Sequence, residues 1–251
     1  MKAPLRERRI RDLLATQEFL DMATLCQELG ASESSVRRDL ASLERAGLLR
    51  RVHGGALATE AGGGLLDFSQ QSRRASDEKK RIGRLAASLV EDGETVILDG
   101  GSTVTAVARE LLGRSLHVIT NSLPIAQVFW DARTIEVTLT GGFLYPRLGV
   151  LLGPFCEEML SGLAADVVVM GAGGVTETGL SNNNTLIVGA EKKMIAAARR
   201  VIIAVDHTKF GRPAMVPLTP LDAVDIVVSD VRLGEEYRRL LKRHKVEIQL
   251  A

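Results

Sequence analysis

The chain has 251 residues, 45% of them hydrophobic and 25% charged, and a formal net charge of +1. That length holds one large domain or two ordinary ones, and the composition excludes a disordered or collagen-like chain. The near-neutral balance excludes a generally basic chain, so a polyanionic partner has to be met by local clusters of charge.

Two cysteines, Cys26 and Cys156, stand far apart in no metal-like spacing and are expected to be ordinary buried thiols. No run reaches the roughly 18 apolar residues of a membrane span. The N-terminal stretch MKAPLRERRIRDLL is basic but has no apolar core behind it, so it does not read as a signal peptide. A cytoplasmic protein is the expectation.

Three helical patterns open the chain. The first runs from Leu5 to about Ala15, with Leu5, Ile10, Leu13 and Leu14 as its apolar side. The second runs from about Met22 to Leu29 and is apolar at Leu25 and Leu29. The third follows Ser32, a residue suited to an N-cap, and runs to about Ala46, where Gly47 ends it. At about 100° per residue, Leu40 and Leu43 fall within about 40° of Val36, and the three form a buried stripe. Ser34, Arg38, Ala41, Ser42 and Arg45 fall on the opposite side, with Arg37 on one flank and Asp39 on the other. Small side chains let a helix sink into the DNA major groove, and arginine pairs with guanine edges or phosphates. A solvated helix face would also carry arginines. Three short helices joined by tight turns favour a helix-turn-helix.

The next stretch, LLRRVHGGALA, places two apolar pieces around Gly54-Gly55 and reads as a β-hairpin. Arg50, Arg51 and His53 lie on or beside it, as in a wing that grips the DNA backbone, while Arg6, Arg8 and Arg9 on the first helix reach flanking phosphates. His53 has no metal-ligand partners nearby, and no metal is expected. The stretch SESSVRRDLASLERAGLLRRVHGGA resembles the winged helix-turn-helix signature of the DeoR family of bacterial transcription regulators. Ser32, Ser35, Val36, Arg37, Arg38, Asp39, Leu40, Leu43, Gly47, Arg51, His53, Gly54 and Gly55 match its pattern, with Ser35 where the family more often has threonine. The resemblance implies that the segment from Ser34 to Arg38 meets DNA.

The chain divides within LATEAGGGLLDFSQQSRR, where Gly62 to Gly64 break any regular element. The boundaries expected are 1–58 for the DNA-binding domain, 59–75 for a linker and 76–251 for an α/β domain. In that last domain the strand-like runs are ETVILDG, LHVITN, IEVTLTGG, ADVVVMGAGG, RVIIAVD, DIVVSD and KVEIQLA. Helical stretches fall between them at 77–91, 104–112, 123–131, 155–163, 187–199 and 234–243. Near-continuous Val and Ile suit a parallel sheet covered on both faces, which places ligands at the carboxyl ends of the strands.

In DGGSTVTAVAREL, Gly100 and Gly101 let the backbone curl close to an anion, Ser102 and Thr103 add hydroxyls, and a helix beginning after Thr103 adds its positive end. Asp99 avoids a phosphate and suits a sugar hydroxyl. An ordinary strand-to-helix turn capped by Ser102 fits the same residues. Thr120, Asn121 and Ser122, Gly141 and Gly142, then Gly171, Gly173 and Gly174 end the following strands, and Lys209 stands ready to neutralise a phosphate. Glu191 and Lys193 either bind a hydroxyl or sit on a helix surface. GAGG lacks the third glycine of a dinucleotide fold, and no cofactor is expected.

DEKKRIGRLAASLVEDGETVILDGGST, VITNSLPIA, LTGG, GLS and AVDHTKFG extend the resemblance to the family's effector domain, which is similar in fold to ribose-5-phosphate isomerase and to CoA-transferase subunits. Where those isomerases carry DGADE, this chain has Met170-Gly171-Ala172-Gly173-Gly174, without their carboxylates. The resemblance implies a regulator that is not an enzyme, most simply a repressor. Its partners would be a double-stranded DNA operator and a small phosphorylated metabolite, and no membrane. A homodimer or homotetramer is expected, since helix-turn-helix proteins pair to span two half-sites. The rival readings are a sugar-phosphate isomerase with an appended DNA-binding domain and a constitutive regulator with a vestigial pocket.

Overall fold

A computed structural model of the chain describes residues 3–14, 19–45, 49–52, 54–58, 68 and 75–251. The chain divides into two compact units, Met1–Arg74 and Ala75–Ala251. The triple glycine at 62–64 lies outside the described residues.

The first unit contains helix α1 (Ala3–Leu14), strand β1 (Phe19–Asp21), helices α2 (Met22–Leu29) and α3 (Glu33–Arg45), and strands β2 (Leu49–Val52) and β3 (Gly55–Ala58). Its core gathers the apolar stripe of every helix: Ile10 and Leu14, Leu25 and Leu29, then Val36, Leu40 and Leu43. Leu5, expected on the apolar side of α1, is instead 56% exposed. Five residues of helix place it about 140° from Ile10, off the stripe. The Asp21 carboxylate caps α2 by accepting from the Thr24 N–H at 2.8 Å, and Gly30 closes the helix in the left-handed conformation. The predicted hairpin forms, β2 against β3 antiparallel, and β1 adds a third strand on the far side of β3. With only three residues, β1 leaves no periodicity to read.

The second unit is built on one seven-stranded sheet. Its strands are β4 (Thr95–Leu98), β5 (Leu116–Thr120), β6 (Ile135–Leu139), β9 (Ala165–Met170), β12 (Ala198–Ala204), β14 (Ile226–Ser229) and β15 (Glu247–Leu250). Every pairing is parallel, and the order is β15-β14-β12-β9-β4-β5-β6. Each of the seven apolar runs supplies one strand. The helices are α4 (Ser76–Ser88), α5 (Ser102–Glu110), α6 (Leu123–Val128), α7 (Pro154–Ser161), α8 (Thr185–Ala197) and α9 (Glu235–Arg243). On one face Val96, Leu98, Val167 and Val169 of the sheet pack with Ile82 of α4, Val104 and Val107 of α5 and Ile125 of α6. Each such fully buried aliphatic side chain contributes about 1.5–3 kcal/mol relative to exposure.

Two smaller antiparallel sheets grow from the carboxyl ends of the main strands: β7 (Phe143–Tyr145) with β8 (Val150–Leu152), and β10 (Gly174–Thr176), β11 (Gly179–Asn182) and β13 (Val216–Thr219). None of these short strands is announced by the sequence pattern. Cys156 is buried as expected, Cys26 is only half-buried, and both are free thiols. Among the described residues no helix is long and apolar enough to cross a membrane.

Candidate functional site

The outward side of α3 is built as its periodicity demands. Val36, Asp39, Leu40 and Leu43 face inward, while Ser34, Arg37, Arg38 and Arg45 are exposed and Ala41 and Ser42 half-buried. The buried Asp39 is held by Arg6 of α1 at 2.7 and 3.1 Å, which locks α1 against α3 and takes Arg6 away from any phosphate role. Ser32 precedes the helix, and its carbonyl accepts from Ser35 and Val36 N–H groups at 2.9 and 3.0 Å. Its hydroxyl lies 3.1 Å from that of Ser34 and 3.0 Å from that of Ser35.

The arginines then separate by partner. Arg9 pairs with Glu28, Arg37 with Glu33 and Arg51 with Glu44. The amide and guanidinium of Arg51 together hold the Glu44 carboxyl below its ordinary range. Arg38 and Arg45 have no carboxylate partner among the described residues. Each lies back along the helix, its Nε donating to the carbonyl four residues earlier at 3.3 Å. The Arg50 side chain and the whole of His53 lie outside the described residues.

The second site follows from strand order. From β4 the chain steps outward through β5 to β6, then returns to the other side of β4 as β9 and proceeds through β12, β14 and β15. β4 and β9 therefore flank a topological switch point, where loops diverge and leave a crevice at the strands' carboxyl ends. Asp99 stands there, its N–H donating to the Val169 carbonyl at 3.1 Å and its side chain 5% exposed.

Gly100 and Gly101 are needed for different reasons. A Cβ on Gly100 would lie 2.3 Å from Val150 Cγ1, so the β7–β8 hairpin presses directly on this turn. Gly101 has φ 132°, which strongly favours glycine, and a Cβ there would meet open space. Helix α5 begins at Ser102, so Ser102 and Thr103 lie within its first turn rather than before it. Gly101, not Ser102, occupies the cap position, and no side chain caps the helix. Its N-terminal amides thus form a partial positive charge beside Asp99.

Glu191 joins Asp99 from α8 and is 1% exposed. Asn182, at the end of β11, donates to Glu191 Oε1 at 2.6 Å, while Oε2 is buried without a partner among the described residues. Burial raises the Glu191 carboxyl well above the ordinary range, and the neighbouring Asp99 charge raises it further. Burial likewise raises Asp99 to about 7, against a partial offset from the Gly100 N–H. Two carboxyls in one low-dielectric site do not both ionise readily, so the pair retains a proton. Cys156 is part of the same cluster, 3.4 Å from the Thr140 hydroxyl, and burial raises its thiol.

The remaining expected residues divide. Thr120 donates to the Leu98 carbonyl at 2.7 Å and accepts from the Ser122 N–H at 3.1 Å. Ser122 caps α6 by accepting from the Ile125 N–H at 3.4 Å. Both hydroxyls thus shape the turn, being buried and internally satisfied. Asn121 Nδ2 donates to the Leu151 carbonyl at 3.2 Å, but its Oδ1 is buried and unpartnered among the described residues. Gly142 meets β8, where a Cβ would lie 2.5 Å from the Leu152 carbonyl oxygen, and Gly141 is exposed beside it. Gly171 and Gly173 are half-buried after β9, and the Gly173 N–H donates to the Ser181 carbonyl at 2.9 Å. Lys193 is exposed, and two residues of helix turn it about 200° from Glu191, so it does not join the acid pair. Lys209 is half-buried in the short helical turn His207–Lys209 after β12.

Three supporting residues carry no signal strong enough to single out beforehand. Asn182 is one of three consecutive asparagines, and only the fold selects it. Asp206 caps the turn that carries Lys209 by accepting from the Thr208 N–H at 3.0 Å. Asp230 accepts from the His207 N–H at 2.8 Å, lies 3.0 Å from His207 Nδ1 and also accepts from the Arg232 N–H at 3.1 Å. These bonds outweigh the effect of burial and keep its carboxyl low. Among the described residues no group of three or more His, Cys, Asp and Glu side chains is placed to hold a metal ion.

A winged helix-turn-helix with unneutralised arginines, in one chain with an α/β unit enclosing a polar crevice, defines a ligand-responsive transcription regulator. Residues 6–61 match the DeoR-like helix-turn-helix domain, and residues 74–231 match the DeoR C terminal sensor domain. The chain belongs to the DeoR family. It is 34% identical to the HTH-type transcriptional repressor GlcR of Bacillus subtilis (strain 168), over 95% of this chain and 93% of that one. It is 30% identical to the glycerol-3-phosphate regulon repressor of Escherichia coli (strain K12), over 100% of both. Among solved structures, ribose 5-phosphate isomerase A from Methanocaldococcus jannaschii is similar at 22% identity over 54% of each chain, with a TM-score of 0.41.

Proposed function

We propose that this regulator is a repressor, active in the cytoplasm, that binds a double-stranded operator as a dimer or tetramer and is controlled by a phosphorylated polyhydroxy metabolite. In this reading residues 1–58 bind DNA, 59–75 link and 76–251 sense. Arg38 and Arg45 carry the DNA contact, because theirs are the exposed guanidinium groups of α3 without a carboxylate partner among the described residues. Arg9, Arg37 and Arg51 stand in exposed ion pairs worth little in water and can exchange their carboxylates for phosphates.

One observation carries the effector assignment: a buried acid pair with an oxygen unpartnered among the described residues, Glu191 Oε2, lies beside the uncapped N-terminus of α5. The amides of the Gly101–Thr103 turn suit a phosphate, with Lys209 as its counter-charge. Asn121 Oδ1 is an acceptor, and the Glu191–Asp99 pair, which shares a proton, offers both an O–H donor and acceptor oxygens, so together they suit the hydroxyl groups of the same molecule. The name of the Escherichia coli relative, a glycerol-3-phosphate regulon repressor, points to the same chemical class.

The test is a thermal-shift screen with sugar and polyol phosphates beside their unphosphorylated counterparts. Phosphorylated compounds are expected to raise the melting temperature by mass action, and to change the affinity for the operator found in the chain's own promoter region. No shift at millimolar concentration of any phosphorylated compound overturns the effector reading. The same compounds are expected to show no isomerisation, measured by following aldose and ketose forms over time.

A further inference from the structure

We infer that the outer edge of β6 is a docking face for a second copy of this chain, joined antiparallel across a two-fold axis at Val137. This rests on the paired-copy reading proposed above and names where the pairing occurs. β6 ends the seven-stranded sheet and pairs only with β5 among the described residues. A sheet edge presents unpaired N–H and C=O groups, and natural edges are blunted by lysine, proline or a bulge. β6, Ile-Glu-Val-Thr-Leu, has none of these, and the exposed Glu136 is its one charged residue. Instead Val137 and Leu139 are both 37% exposed. Around the carboxyl end of the strand Phe143 is 47%, Leu144 45% and Phe155 74% exposed. Phe155 is held there, its Cβ 3.8 Å from where a Cβ on Gly141 would stand. The other edge, β15, has no large apolar residue in this exposed group.

The strand's own sequence selects the occupant and the register. Opposed residues in an antiparallel ladder point to the same face, so a two-fold axis perpendicular to the sheet passes midway between one residue of β6 and its own copy. An axis at Glu136 sets two carboxylates directly opposite each other, which destabilises a pair. An axis at Thr138 sets Ile135 against Gly141 and leaves it without a cross-strand side chain. An axis at Val137 uses all five residues: Ile135 meets Leu139, Val137 meets itself, and Glu136 meets Thr138. That last match sets a hydroxyl against a carboxylate, with His117 of the next strand beside Glu136 in the ladder and 2.9 Å from the Thr138 hydroxyl. In this register the strand matches its apolar face to itself and sets no like charges directly opposite, as an isologous contact requires. It also runs directly into Gly141 and Gly142, so this contact borders the proposed effector loops.

The experiment uses the full chain. Val137→Lys places two ammonium groups across the axis at an exposed position. Val137→Cys places two thiols opposite each other, and Glu136→Cys holds them a diagonal apart. Mass in solution is measured by light scattering across a concentration series, with far-UV circular dichroism as the check on folding. The expected result is a folded Val137→Lys variant at half the wild-type mass or less, with operator affinity reduced at least tenfold. Under a mild thiol oxidant Val137→Cys is expected to give a disulfide-linked dimer, and wild type and Glu136→Cys are not. A Val137→Lys variant at wild-type mass, together with no specific cross-link in Val137→Cys, overturns this face and leaves the paired-copy reading standing. A wild-type chain that stays a single copy both free and on its operator overturns both.

Discussion

Arg38 and Arg45 stand seven residues apart, close to two turns of α3, which brings them to one side of the helix. Arg38→Ala is predicted to weaken specific operator binding by about 1–3 kcal/mol and to lower the salt slope of the affinity by about one, as expected when one guanidinium contact is removed. Arg37→Ala is predicted to cost less, since Glu33 already compensates that charge. Fluorescence anisotropy on an operator duplex at several salt concentrations measures both, and equal losses would remove the distinction. Within the crevice the residue-scale quantity is the proton. Asp99 titrates near 7 in the folded chain and near its ordinary value of about 4 when unfolded. Between these values the native state binds more protons than the unfolded state, so this site's contribution to stability falls as pH rises. Melting temperature is therefore predicted to decline from pH 5 towards 8. Asp99→Asn and Glu191→Gln are predicted to flatten that decline. A slope of the opposite sign in the parent, or the same slope in parent and variants, would show that other groups dominate.

At the scale of elements, the turn from β4 into α5 and the β7–β8 hairpin form one mechanical unit, because Val150 occupies the space a side chain on Gly100 would need. Gly100→Ala is predicted to destabilise the fold by about 1–3 kcal/mol through overpacking. Val150→Ala makes a small cavity of its own, yet the double variant is predicted to recover part of the Gly100→Ala loss, since the two changes share one space. Chemical denaturation of the four proteins closes the cycle, and strict additivity would show that the two residues do not compete. Gly101→Ala lacks such a rescue, because its difficulty is backbone conformation rather than space.

At the scale of the whole molecule, two units with separate cores imply two unfolding events. Calorimetry is predicted to resolve them, with a phosphorylated effector raising only the transition of the sensor unit and an operator duplex raising the transition of the DNA-binding unit. An effector that moved only the smaller unit's transition would place the ligand in the wrong half of the chain. The apolar surface along β6 belongs to this scale as well, since a monomeric protein seldom leaves so many large apolar side chains together in solvent.

Much of this molecule is legible along the chain because helix and strand periodicities are local. The stripe of Val36, Leu40 and Leu43, the seven apolar runs and the glycine turn after β4 all follow from spacing over a few residues. The sequence also exposes its limits. Leu5 looks apolar enough to be buried yet lies off the stripe, and Glu191 reads equally as a hydroxyl-binding group or a helix-surface residue until the fold buries it. Tertiary structure decided the rest: that β9 returns to the side of β4, that Asn182 orients Glu191 beside Asp99, that Arg6 neutralises Asp39, and that Lys193 faces outward. Local spacing specifies which face of an element is apolar. Which distant element meets that face depends on the order in which strands pair, and that is settled by the burial and hydrogen bonding of the whole sheet.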